Sequence, residues 1–183
     1  LNLSVAQFGS AVEGGFDDWT AAIDYSETPD ETGKHGAVTV TINIASLSLG
    51  SVTDQAKSTD YFDLDNHPTA IFDADILSSP TGHIAKGTLT NKDQSMPLEM
   101  PFDLSLNGDT AQASGELVLD RRDFLIGMGT TDEATLGFEV AVSFDLTAPR
   151  GHTDETEDDT KEAETATLDP SQSGWTVQTG ALD

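Results

Sequence analysis

Two of the eight basic side chains, Arg121 and Arg122, stand side by side in "LDRRDF", next to Asp123. Against 33 acidic residues and a net charge of −25, such a pair has two chemistries open to it. One is ion pairing with neighbouring carboxylates, a contact worth little at a surface. The other is charge-assisted anchoring of a polar or pyrophosphate head group at the mouth of a cavity. Other constellations are weaker. "DYFDLDNHPTAIF" gathers Asp60, Asp63, Asp65 and Asn66, yet lacks the glycine and distal glutamate of a calcium loop. It reads instead as a loop-to-strand turn set by Pro68, with Phe62 turned inward. His35, His67, His83 and His152 include no pair spaced three or four residues apart, so no metal site is expected. "GMGTT", with Gly127 and Gly129, lacks the lysine of a phosphate cradle and reads as a hairpin or rim loop. No nucleophile elbow, zinc-protease helix or matched histidine and carboxylate pair is present, so no catalytic residue is assigned and no enzyme is expected.

Charge narrows the partners. Residues 1–150 carry about −17 and the remainder about −8, so both parts repel phosphate backbones and anionic lipid surfaces. Nucleic-acid binding is therefore not expected. The absence of cysteine removes disulfides and thiolate chemistry and leaves the redox compartment open. No apolar run approaches the roughly 18 residues of a membrane-spanning helix. The chain starts on Leu1 with no charged leader, and is read as a piece of something longer.

The elements that would position these residues are strands. In "AVTVTINIASL", Val38, Val40, Ile42 and Ile44 alternate with polar or small residues, the period of two of a sheet with one apolar face. The rhythm recurs at Ala70, Phe72, Ala74 and Ile76, then at Leu98, Met100, Phe102, Leu104 and Leu106. It returns at Leu136, Phe138, Val140, Val142, Phe144 and Leu146. Asn107 and Gly108 in "NGD" suit a tight hairpin, and Gly14 and Gly15 suit a bulge or sharp coil. One short helix is predicted from Thr53 to about Phe62, with Ser51 or Thr53 as its cap.

Many strands, hairpin spacing and one helical interruption predict an all-β domain whose antiparallel sheet closes on itself, which also removes exposed edges. In a barrel of about eight strands, inward side chains either fill the interior or leave room for one slender ligand. The candidate lining is Val40, Ile42, Phe72, Phe102, Leu104, Phe138, Val140 and Phe144. A packed core would use the same residues. Arg121 and Arg122 are the candidate head-group anchor.

Six stretches in series carry a resemblance over residues 1–150: "VEGGFDDWTAAI", "VTVTINIASLSLGSVTDQA", "DYFDLDNHPTAIFDADI", "AKGTLTNKDQSMPLEMPFDLSL", "GELVLDRRDFLIGMG" and "LGFEVAVSFDLTAPR". The chain resembles the YceI family of bacterial lipid-binding, lipocalin-like proteins. The resemblance implies an eight-stranded antiparallel lipocalin-like barrel with one short helix and a long hydrophobic pore. That pore would hold a polyisoprenoid lipid, a quinone or another amphiphile, and the activity would be binding rather than catalysis. It further implies a periplasmic or secreted location, and some members are fused to a membrane b-type cytochrome of the b561 kind. A ligand-free interaction domain on such a redox protein is the alternative reading. Two positions depart from the family pattern. Leu125 follows "R-x-D-F" where a glycine is usual, and Asp93 stands where the loop after "GTLT" normally has glycine.

Residues 151–172 have the composition of an acidic disordered linker, and residues 173–183, "SGWTVQTGALD", restore strand-like residues at Trp175 and Val177. That tail resembles the opening strand of a family barrel. Two readings stay open: it is the first strand of a next domain in a tandem array, or it returns to a vacant place beside Leu3 and Val5. In the second case it does so within one molecule or between two by strand exchange.

Overall fold

The structure, a computed structural model, describes residues 1–149 and the backbone of Gly174–Gln178. The acidic linker and His152 lie outside the described residues. Among the described residues, eleven strands form one sheet: β1 (Asn2–Gln7), β2 (Ser10–Phe16), β3 (Trp19–Tyr25), β4 (Lys34–Asn43), β5 (Leu47–Ser48), β6 (Thr69–Ser79), β7 (Gly82–Asn91), β8 (Gln94–Asn107), β9 (Thr110–Asp120), β10 (Leu136–Pro149) and β11 (Gly174–Gln178). Their order is β11-β3-β4-β6-β7-β8-β9-β10-β1-β2-β5, and every pairing is antiparallel. The sheet thus has eleven strands where eight were expected, with eight of them in the run from β3 to β1. The sheet curls into a half-barrel with β2, β5 and β11 added at its flanks.

Hairpins with two-residue turns explain the register. Both central residues of the β1–β2 turn, Phe8 (φ 49°) and Gly9 (φ 76°), and of the β7–β8 turn, Lys92 (φ 48°) and Asp93 (φ 59°), have positive φ. That geometry matches the twist of the strands it joins. At "NGD" the turn is Gly108 and Asp109. Gly108 has φ 60°, while Asn107 stays in β8 and pairs with Thr110. Gly14 and Gly15 make no bulge, contrary to expectation. They pair in register with Leu3 and Asn2, and a Cβ on Gly14 would overlap the Ser48 carbonyl oxygen where β5 crosses β2.

The helix is shorter than expected: α1 spans Thr53–Lys57 and follows a 3-10 turn at Gly50–Val52. Neither Ser51 nor Thr53 caps it in the expected way. The Thr53 hydroxyl accepts from Leu49 N–H at 2.8 Å and donates to the Gly50 carbonyl at 2.8 Å, which closes the preceding turn. The segment between β4 and β6 folds over one end of the barrel. Ile44 and Leu47, with no more than 2% of their surface exposed, pack there with Phe16, Leu49 and Ala56. Phe62 joins them, its ring edge-on to Phe16 at 5.8 Å. Asp63, buried with φ 51°, accepts from the Asn66 side chain at 3.0 Å, so the acidic loop is a turn.

β1 pairs with β10 only from Leu136 to Ser143. β11 lies alongside β10 and pairs with β3, from Gly174 opposite Asp24 to Gln178 opposite Thr20. The described part of the tail, Gly174–Gln178, thus lies on β3 rather than beside Leu3 and Val5.

Candidate ligand tunnel

Because successive strand side chains alternate between faces, one apolar set from each long strand points into the curl. These side chains enclose two cavities, of about 160 Å³ and 170 Å³. Leu1, Ile42, Leu89, Leu119 and Val142 line both, so the two abut as halves of one bore. For scale, an apolar cavity of roughly 150 Å³ stays dry, and small-molecule sites run from roughly 300 to 1,000 Å³.

The first half lies toward the β3–β4, β6–β7 and β8–β9 hairpins. Val40, Phe72, Phe102, Leu104 and Phe144 line it, as does the shared Ile42, and no polar atom faces it. Its width comes from small inward residues. Ala21, Ala85, Ala111, Ala113 and Ala148 occupy positions where leucine would fill the space.

A ring stack closes this hairpin half. The Tyr25 ring lies 5.3 Å from His35 and nearly parallel to it, His35 lies 4.9 Å from His83, and His83 lies 5.5 Å from Phe102. The Tyr25 hydroxyl and His83 Nε2 share a hydrogen bond of 3.1 Å. His35 Nδ1–H donates to the Ser26 carbonyl at 2.8 Å, and its Nε2 accepts from the Ser78 hydroxyl at 2.9 Å. Burial, with His35 adding to it, holds the His83 pKa below the usual histidine value. Burial also raises the Tyr25 pKa.

The second half lies toward α1. Leu3, Phe16, Ile44, Phe62, Leu136 and Val140 line it, and here polar side chains join the wall: Gln55, Tyr61, Asn91 and Arg121 among them. Arg121 is 4% exposed. Its Nε donates to the Gly137 carbonyl at 2.9 Å, Nη1 to Ile126 and Gly127 at 2.7 and 2.8 Å, and Nη2 to Thr130 and Leu136 at 2.7 and 3.3 Å. A guanidinium has five N–H groups, and all five are engaged. Arg121 therefore ties down the loop between β9 and β10, with no donor left for a head group.

Arg122 is placed differently again. It is exposed, forks onto the Asp120 carboxylate at 2.9 Å and 3.1 Å, and lies 3.9 Å above the Phe138 ring centroid. Its hydrogen bond to Asp120 draws that carboxyl pKa down. Phe138 lines neither cavity. It lies where the β1–β10 register slips, between Val5 opposite Val140 and Gln7 opposite Leu136. Of the eight candidate lining residues, the bore brings seven together. It leaves out Phe138, and both arginines are already partnered.

Asn91 is the residue that strand periodicity should have flagged. It continues the inward face of Ala85 and Leu89 at even spacing, and a polar residue in that place departs from the pattern. The meeting of His35 and His83 had no short-range signal, because β6 separates their strands in the sheet.

The model of the YceI-like domain matches residues 1–148. The chain belongs to that family. The crystal structure of BcnA from Burkholderia cenocepacia has 26% identity and a TM-score of 0.73, over 80% of this chain and 94% of its own. The YceI protein of Campylobacter jejuni shares the fold at 20% identity and a TM-score of 0.68, over 78% of this chain and 87% of its own. No curated protein matches the chain by sequence. YceI-like domains are known as lipid- and polyisoprenoid-binding barrels, generally binding proteins rather than enzymes and generally periplasmic. No helix among the described residues is long and apolar enough to cross a membrane.

Proposed function

We propose that this chain binds and carries a long-chain isoprenoid lipid, quinone or similar amphiphile in the bore, in the periplasm or outside the cell. The observation that carries this reading is the paired cavity itself. Two abutting spaces run along the curl of the sheet, one wholly apolar and one with a few polar groups, in a chain of a lipid-binding family. Attraction for an extended tail then needs no motif, since burial of apolar area supplies roughly 25 cal/mol per Å². The interior is not packed shut, which favours carriage over a purely structural barrel. The chemistry asked of the protein is exclusion of water and orientation of a chain, and a ligand held in this way is released unchanged.

The direct test is titration of the delipidated full chain with a C20 isoprenoid, followed by tryptophan fluorescence, since Trp19 lines the hairpin half. Saturable binding at one equivalent is expected. A flat titration would remove the carrier reading.

A further inference from the structure

Asn91 closes β7 at the α1 end and pairs across the turn with Gln94. It is 6% exposed, lies in the wall of the second cavity, and its Oδ1 is buried without a hydrogen-bond partner. Buried polar atoms are nearly always satisfied, because one left unmet loses its hydration with nothing in return. A leucine would avoid that cost, as Leu89 does two residues earlier on the same face. No side chain of the same wall reaches Oδ1 with a hydrogen bond. Arg121 has no N–H to spare, and the Tyr61 hydroxyl accepts from Gln55 Nε2 at 3.3 Å without reaching Asn91.

We propose that Asn91 is the head-group site of the bore, and that it takes the hydroxyl of a neutral long-chain alcohol, phenol or hydroquinone. This inference rests on the carrier reading and adds the ligand class. Oδ1 is an acceptor, so its partner must bring a proton. A hydroxyl does so, and can accept in return from the amide N–H. An ether or an oxidised quinone has no proton to give. A carboxylate or phosphate would need a cation, and the one guanidinium in the wall is committed to five carbonyls. The tail then runs from Asn91 past the shared wall at Ile42, Leu89 and Val142 into the apolar half, where no polar atom faces it.

Geranylgeraniol and its methyl ether, titrated separately against the delipidated full chain, test this. The alcohol is expected to bind about tenfold tighter than the ether, the equivalent of about 1.4 kcal/mol for one hydrogen bond made in a dry site. In Asn91→Leu the preference is expected to vanish, with ether binding kept or strengthened. Equal binding of the two probes by the unaltered chain overturns the assignment while leaving lipid carriage in place, and needs no variant to fold. Persistence of the preference in a folded Asn91→Leu protein overturns it as well. If neither probe binds the unaltered chain, the carrier reading itself fails, and this inference with it.

Discussion

The two halves of the bore are built from the same alternating strands but differ in what closes them. The hairpin half is hydrocarbon on every wall, and the polar atoms at its end are turned toward one another in the Tyr25, His35 and His83 stack. The helix half is closed by a packed plug, Ile44, Leu47 and Phe62 beneath the segment that carries α1, and has polar groups in its wall. An amphiphile has the same asymmetry. Under the proposed carrier role, the tail lies toward the hairpins and the head toward α1.

The largest expected effect comes from filling the hairpin half. Ala113→Phe places a ring where the bore is open, so the chain should fold while affinity for a C20 isoprenoid falls by about tenfold or more in a fluorescence titration. If affinity is kept, the tail does not use that half.

Stability should divide the halves in the opposite sense. Ile44 is fully buried in the plug, so Ile44→Ala should cost about 3 kcal/mol in urea unfolding. Leu104→Ala, which only widens an existing cavity, should cost nearer 1 kcal/mol because less packing is lost. Equal costs would mean that the two halves are packed alike.

A smaller effect should separate the ends by pH. The His83 pKa in the folded chain lies below the unfolded value of 6.5, so well above pH 6.5 the residue is neutral in both states and contributes nothing. As pH falls below 6.5 the unfolded chain binds the proton first, and stability declines until the folded pKa is passed. The melting temperature should therefore drop between pH 7 and pH 5.5, and His83→Gln should flatten that part of the curve. An unchanged slope in the variant would place the titration elsewhere.

The smallest effects lie in the collar of the helix end. Leu125 sits at φ 55° and Asp93 at φ 59°, so the backbone keeps the left-handed turns in which the family usually has glycine. Leu125→Gly should raise stability by about 0.5–1 kcal/mol and Asp93→Gly by a few tenths, since aspartate tolerates that region better. Denaturant midpoints will show whether the order holds.

These contrasts also show what could be read from the sequence. The strands were legible because alternation is strictly local, and seven candidate residues fell into the bore for that reason. Phe138 follows the same alternation but sits at a register slip, a relation between strands that its own neighbours do not encode. The arginine pair looked like a ligand anchor because side-chain chemistry was visible and loop carbonyls were not. Five of those carbonyls converge on Arg121 only once the loop before β10 has folded. Asn91 was readable from parity alone, as the polar residue on an otherwise apolar inward face. The histidine stack was not, because it depends on the long-range pairing of β4, β6 and β7.

Native mass spectrometry of the full chain, before and after incubation with geranylgeraniol, tests most directly whether the bore is a lipid site. One equivalent of isoprenoid carried into the gas phase, and lost in Ala113→Phe, is the expected result. Apoprotein alone at saturating ligand would contradict it.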